Sequence, residues 1–490
     1  MNKLETMRRR PQLRTLFAVL LSAGLLGACA VGPDYKRPAL ELPQDWSTRQ
    51  AAPGQPAAKP ASEMGTRWWS QYGDQVLDKL EDEALAHNAD AQVAVARVLQ
   101  ARAQLGITEA DQYPAVTANL TESRNRYSQT GIYHLAPFNQ TQATLNASYE
   151  LDLWGKYRRA SEAARAELMG TEAARDTVRL SLTAQVAQQY FALLAYDAEA
   201  AVVQRELAAR QETLALDRKR VEFGVLSEYD LHQSEADEAT VRSQLATLEQ
   251  TRDKQEAALA LLLGRSPREV MNGAVQRGSL KPVSAWVPAG LPSELLLRRP
   301  DLKQAEMNLV AMNANIGAAR AQYFPSLGLT AYLGRQSIPF SKLFTGQANI
   351  FQFAASITQP IFNAGAIGDQ VDAAKAARDA ALVQYRQAVA SAFADVRNAL
   401  TEQTAAREVL DAETTRSNAL AQAYKQAQLR YQNGISSHLD LLIVENNYLQ
   451  AELSRLDAQR AQRAAVADLF KALGGGWQEA AGKKQQRDGG

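Results

Sequence analysis

From Gln142 to Asp152 polar and apolar residues alternate without a break. Ala143, Leu145, Ala147, Tyr149 and Leu151 oppose Gln142, Thr144, Asn146, Ser148, Glu150 and Asp152. Period two places successive side chains on opposite faces, so this stretch predicts a strand with one greasy and one hydrophilic side. A partner runs from Pro114 to Arg124, with Val116, Ala118 and Leu120 set against Thr117, Asn119 and Thr121. The pattern returns as Leu327, Leu329, Ala331 and Leu333, then as Phe351, Phe353, Ala355 and Ile357, interleaved with Ser326, Gly328, Thr330, Gln352, Ser356 and Thr358. Four strands of about ten residues result, in two hairpins whose loops carry Gly131-Ile132-Tyr133 and Gly346-Gln347.

Between these hairpins the period changes. The intervals from Gly170 to Gly224, Val225 to Leu263, Asp369 to Asn433 and Ile435 to Leu473 contain neither Gly nor Pro inside them and are rich in Ala, Leu, Gln, Glu and Arg. Strong helix formers without breakers predict long helices. The stretch from Tyr157 to Glu222 would reach on the order of 100 Å if straight. Val178, Leu182, Val186, Tyr190 and Leu193 recur every three or four residues, a stripe that packs on neighbouring helices. An exposed coiled-coil rod and a wall of helices around a space both fit that stripe.

The chain repeats itself. Arg220, Gly224, Ser227, Asp230, Leu231 and Glu235 recur as Arg430, Gly434, Ser437, Asp440, Leu441 and Glu445, a shift of ~210 residues that marks a duplicated unit. Asp90, Ala94, Gly106 and Pro114 recur as Asp301, Ala305, Gly317 and Pro325, and Leu263-Gly264 as Leu473-Gly474. Gly224 and Gly434 each interrupt a breaker-free run. Each therefore predicts the turn of a helical hairpin, with Ser227 and Ser437 capping the outgoing helix and Asp230 and Asp440 in its first turn.

At the amino end Lys3, Arg8, Arg9, Arg10 and Arg14 precede an apolar run from Leu16 to Leu26 and then Gly27-Ala28-Cys29. A basic segment, a short apolar segment and small residues read as a lipoprotein signal over residues 1–28, with Cys29 the lipidated first residue after cleavage. Ala30 follows rather than Asp, which by similarity to lipoproteins implies sorting to the outer membrane. Cys29 is the only cysteine, so no intrachain disulfide is possible. No other apolar run approaches twenty residues, which leaves a β-barrel as the spanning element. Four strands cannot close one, so several chains must share it. Two would give eight strands and a bore filled by side chains; three would give twelve and an aqueous lumen.

Composition narrows the function by exclusion. A net charge of +1 gives no reason to expect nucleic acid. The chain has no Gly-x-Ser-x-Gly, His-Glu-x-x-His or Walker loop, and His87, His134, His232 and His438 lie far apart in sequence. We expect no enzyme, no metal site and no cofactor other than the lipid on Cys29.

Several motifs together carry a family resemblance: Val31-Gly32-Pro33-Asp34-Tyr35-Lys36-Arg37-Pro38 after Cys29, Trp68-Trp69 with Tyr72 and Asp74, Leu291-Pro292-Ser293-Glu294-Leu295-Leu296, Arg299-Pro300-Asp301-Leu302, and the duplicated Arg-x3-Gly-x2-Ser-x2-Asp-Leu segment. The chain resembles the TolC-like outer-membrane factors, in their lipidated OprM/NodT branch. The resemblance implies an α+β membrane protein whose four strands per chain join a trimeric twelve-stranded outer-membrane barrel, continued by a periplasmic α-helical barrel. It implies the exit duct of a tripartite efflux pump, a homotrimer in outer-membrane lipid that meets a periplasmic membrane-fusion adaptor and an inner-membrane RND-type transporter. The helical turns at Gly224, Ser227, Gly434 and Ser437 become adaptor-docking tips. The periplasmic gate falls on Leu439, as an apolar ring, with Asp230 and Asp440 as acidic groups, because Ile443 stands where many relatives carry Asp. A conduit for secreted polypeptide and a structural envelope lipoprotein are the alternatives.

The organisation expected is a signal (1–28), a lipid-anchored extended arm (29–66), a first repeat (67–264, β-hairpin about 113–154, tip near 224), a connecting segment (265–300), a second repeat (301–474, β-hairpin about 324–361, tip near 434) and a polar tail (475–490).

Overall fold

A computed structural model describes residues 30–43, 67–128, 130, 136–278, 298–433 and 435–475. Cys29, the signal, arm residues 44–66, the Gly131-Ile132-Tyr133 loop, the Leu291–Leu296 motif, Gly434 and residues 476–490 lie outside the described residues. In chain order the elements are α1 (Gln75–His87), α2 (Ala89–Ala110), β1 (Ala115–Asn125), β2 (Phe138–Leu151), α3 (Lys156–Glu222), α4 (Glu228–Leu262), α5 (Pro267–Asn272), α6 (Pro300–Ala321), β3 (Ser326–Ser337), β4 (Asn349–Thr358), α7 (Ala366–Gln432) and α8 (His438–Ala472). The duplication is visible element by element: α3 and α7 each have 67 residues, α4 and α8 each 35, and α2 and α6 each 22. The offset is 211 residues from β1 to β3 but 210 from β2 onward, so the second hairpin is one residue shorter between its strands.

The chain divides into two compact units. The first comprises residues up to Ala39, Val98–Thr171 and Gln304–Tyr385. Its sheet is antiparallel in the order β1-β2-β3-β4, the two hairpins pairing through β2 and β3. All four helix connections meet one end of this sheet, and at the other lie the paired ends Asn125 and Phe138 and the connection from Ser337 to Asn349. Below the helix end, α3 and α6 pack through Ala163, Ala166, Ala311 and Ala314, small side chains that let the helices approach closely. Residues 31–37 lie against these helices. Val31 N–H donates to the Trp154 carbonyl at 3.0 Å, Asn313 donates to the Pro33 carbonyl at 2.8 Å, and Arg37 donates twice to Glu306, which also accepts from the Tyr35 hydroxyl at 3.0 Å. Gly32 and Gly317 permit this contact, because a Cβ added to Gly32 would sit 2.5 Å from the Gly317 Cα.

The second unit comprises Leu40–Arg97, Glu172–Lys303 and the chain from Arg386 onward. Its core gathers around the Trp68-Trp69 motif: Trp68 stacks on Phe470 at 4.9 Å and donates to the Thr183 hydroxyl at 3.1 Å. Asp74 caps α1 through the Val76 and Leu77 N–H groups and accepts from the buried Tyr190 hydroxyl at 2.7 Å. Of the stripe read from the sequence, Leu182, Val186, Tyr190 and Leu193 are buried and Val178 is half-buried. Further along, Val203, Val241 and Leu449 join α3, α4 and α8.

Candidate functional site

Register across the four strands sorts every side chain to one of two faces, since residues paired in an antiparallel ladder point the same way. On one face Val116, Ala147, Ala331 and Phe353 form a row, and Leu145, Leu333 and Phe351 continue the next with Ala118. The large apolar residues among them are solvent-exposed, Phe353 to 76% and Val116 to 67%, and Ala147 and Ala331 are half-buried. On the other face Thr117, Asn146, Tyr332 and Gln352 form a row. A packed soluble sheet buries its apolar face. This one presents it outward as a contiguous patch, which requires a partner phase such as lipid.

The apolar band has limits along the strands. Towards the loops it gives way to Glu122, Arg124 and Arg335, and the Arg335 guanidinium lies 5.6 Å from the Phe344 ring centroid. Towards the helices it ends in aromatic groups: Trp154 stacks on Phe324 at 4.7 Å and donates to the Pro325 carbonyl at 2.8 Å, and Ile361 and Phe362 are almost fully exposed. Aromatic side chains flanking an apolar band match the two interfaces of a membrane. β2 ends one residue earlier than its alternation predicts, because Asp152 turns to accept the Arg158 N–H at 2.8 Å and starts α3. It also begins four residues earlier, at Phe138, where Asn139 and Thr141 occupy outward positions beyond the apolar band.

In the second unit each long hairpin turns in the same way. Gly224 has φ +67°, its N–H donates to the Val221 carbonyl at 2.9 Å, and the Val225 N–H donates to the Arg220 carbonyl at 2.8 Å. That is a Schellman ending, in which the left-handed residue is glycine because a Cβ there is strained. The Ile435 N–H donates to Arg430 at the same 2.8 Å. Ser227 caps α4 by accepting the Asp230 N–H, and Ser437 caps α8 by accepting the Asp440 N–H, each at 3.2 Å. The Asp440 carboxylate returns a bond to the Ser437 N–H at 3.1 Å, closing a capping box. The Ser437 hydroxyl and N–H hold the Asp440 carboxyl below its ordinary value, so it is ionised at neutral pH.

Around the turns apolar groups stand in solvent: Phe223, Val225 and Tyr229 on the first, Ile435, Leu439 and Ile443 on the second. The hairpins are tied side by side. Arg220 donates to the Tyr431 hydroxyl at 3.0 Å, and the fully buried Asp217 accepts from Ser234 at 2.8 Å and faces His438 at 4.0 Å. Higher up, buried Arg210 pairs with Glu445 at 3.1 Å, and Tyr424 donates to the same carboxylate at 3.0 Å. Burial raises the Glu445 carboxyl despite Arg210. Its repeat partner Glu235 is instead half-exposed, beside Arg218 and His232. Asp217 and Arg210 escaped the sequence reading because neither recurs one repeat later, where Ala427 and Leu420 stand. Among the described residues no three His, Cys, Asp or Glu side chains converge on a possible metal position, and no helix is long and apolar enough to cross a membrane.

A membrane-facing sheet with open edges, joined to long helical hairpins, defines a channel subunit of the outer membrane. The chain belongs to the outer membrane efflux protein family, whose family model matches residues 80–265 and 291–475. It is 34% identical over 486 residues to a probable efflux pump outer membrane protein, TtgC, of Pseudomonas putida, covering 97% of this chain and 98% of that one. It is 33% identical over 455 residues to the cation efflux system protein CusC of Escherichia coli, covering 93% and 97%. Among solved structures, the Campylobacter jejuni CmeC outer membrane channel superposes with a TM-score of 0.88 at 26% identity, covering 92% of this chain and 96% of CmeC. The chain is therefore an outer-membrane efflux channel of TolC-like fold.

Proposed function

We propose that three copies of this chain form the passive exit duct of a tripartite pump for drugs and other small toxic compounds. The observation that carries the proposal is the sheet: one apolar face, one polar face and, among the described residues, no partner on the outer edge of β1 or β4. Open edges cannot remain in lipid, so β4 of one copy pairs with β1 of the next until the ring closes. Three copies give twelve strands, wide enough for water, which suits the polar inner face. The duct is not an enzyme and couples to no fuel.

The helical turns carry the partners. Phe223, Val225 and Tyr229, with Ile435, form an apolar surface on the capped turns at Gly224, Ser227, Gly434 and Ser437, a surface suited to a periplasmic adaptor that links the duct to an RND-type transporter. Leu439 forms the apolar gate and Asp440, with Asp230, its acidic groups. Cys29 carries the lipid. Support comes from Ala30, which abuts Gly155 at the helix end of the sheet, where the periplasmic leaflet would lie.

Deleting the gene and restoring wild-type or Cys29→Ala copies tests this. Growth against antibiotics, dyes, detergents, aromatic solvents and metal ions should show sensitisation reversed by the wild-type copy, and labelled palmitate should enter only the chain that keeps Cys29. Unchanged resistance to every compound, with the chain expressed in the parent, would turn the reading towards polypeptide secretion.

A further inference from the structure

The same register that defines the lipid face also lists what the lumen wall is made of. Every position of the four strands on the polar face is Ala, Asn, Gln, Gly, Ile, Phe, Ser, Thr or Tyr, with the single exception of Glu150. Glu150 does not stand as a free charge. The Lys156 ammonium donates to its two oxygens at 3.1 and 3.4 Å, and the Tyr157 hydroxyl donates to it at 2.9 Å. The strand residues that do carry charge, Glu122, Arg124 and Arg335, belong to the opposite face and sit at its loop end.

We infer that the barrel is an electrically neutral pore, lined by amides and hydroxyls, whose one acidic position is cancelled by Lys156. It therefore admits cationic, anionic and zwitterionic cargo alike. A fixed charge on a pore wall acts over about a Debye length, ~8 Å at 0.15 M salt, so uncancelled carboxylates repeated in each copy would concentrate cations and repel anions. A neutral wall does neither. Any charge selection by the assembled pump then lies upstream of the strands. This inference rests on the channel reading and adds the charge class of compound that the barrel passes.

The test uses the full-length channel in intact cells. Thr117→Cys, Asn146→Cys and Gln352→Cys each place a thiol on the polar face, and Phe353→Cys places one on the apolar face. Each variant is treated from outside with a cationic trimethylammonium and an anionic sulfonate methanethiosulfonate, with wild type as the blank. Lumen thiols should react with both reagents in a rate ratio within about threefold of that of a free thiol in the same buffer. A bias above about tenfold towards either sign at all three positions would overturn the neutral-pore inference while leaving the channel in place. No reaction at the three polar-face positions, with reaction at Phe353→Cys, would overturn the channel reading itself. Glu150→Gln supplies a second check. It leaves Lys156 unpaired, so the ratio at Ser148→Cys should move several-fold towards the anionic reagent; an unmoved ratio would refute the cancellation.

Discussion

Phe353 and Gln352 are adjacent in β4 but face opposite phases, so the same substitution at each gives opposite outcomes. From the Ile357 row to the Asn349 row the outward face rises eight residues, ~27 Å along the strand at ~3.4 Å per residue. At a strand tilt of ~40° this is ~21 Å along the membrane normal, close to the apolar band of outer-membrane barrels. Phe353 lies midway. An arginine at the midplane of the lipid face costs about 2–4 kcal/mol in each copy, and Phe353→Arg places one in every subunit of the ring. Three copies lose about 6–12 kcal/mol, comparable with the whole stability of an ordinary domain. Gln352→Arg keeps its charge in water and costs little. Outer-membrane fractions analysed by unheated and heated gel electrophoresis read the assembled species. Phe353→Arg should fail to assemble, and Gln352→Arg should assemble at wild-type level. Equal assembly of both, or failure of Gln352→Arg alone, would refute the assignment of faces.

Three further outcomes follow from the geometry. Glu81 is fully buried with neither carboxyl oxygen hydrogen-bonded, and burial with the nearby Asp82 and Asp78 raises its carboxyl well above the ordinary value. The folded chain then holds a proton that the unfolded chain releases above ~4.3, so stability falls as pH rises through that window; Glu81→Gln should flatten the decline in melting temperature between pH 5 and 9, and an unchanged slope would count against a buried neutral acid. Gly224→Ala meets nothing within 4 Å but keeps φ +67°, so its cost of about 1–2 kcal/mol is backbone strain alone; together with Ser227→Ala, at about 1 kcal/mol for the lost cap, it should weaken adaptor capture in a pull-down while the barrel stays assembled. Glu306→Ala removes the acceptor of Arg37 and Tyr35, charge-assisted bonds of about 1.5–3 kcal/mol before discounting the half-exposed Arg37, and should make trypsin cut the Lys36–Arg37 bond faster than in wild type, the Arg37–Pro38 bond being resistant.

Much of this architecture is legible in the chain because it is local and periodic. The strands follow from strict alternation at Ala143 to Leu151, the long helices from the absence of breakers, and the turns from Gly224 and Ser227 at fixed offsets from Gly434 and Ser437. What could not be read is what joins elements far apart. Nothing in the alternation says that β2 pairs with β3 and thereby merges two hairpins into one sheet. Nor does any local pattern connect Arg37 to Glu306, 269 residues away, or bury Asp217 beneath His438. Asp230 and Asp440 show the limit on the site. The resemblance makes both gate carboxylates, and the residues themselves place both in the first turn of a helix, where each accepts a hydrogen bond from the capping hydroxyl of Ser227 or Ser437.

The most direct test is to plug the lumen from outside. Cells carrying Gln352→Cys as their only copy are preloaded with a fluorescent dye, labelled with a bulky membrane-impermeant maleimide, and energised while export is followed in real time. If cargo leaves through this barrel, labelling should stop export in Gln352→Cys cells and leave wild-type and Phe353→Cys cells unaffected. Full labelling of Gln352→Cys with undiminished export would contradict the account.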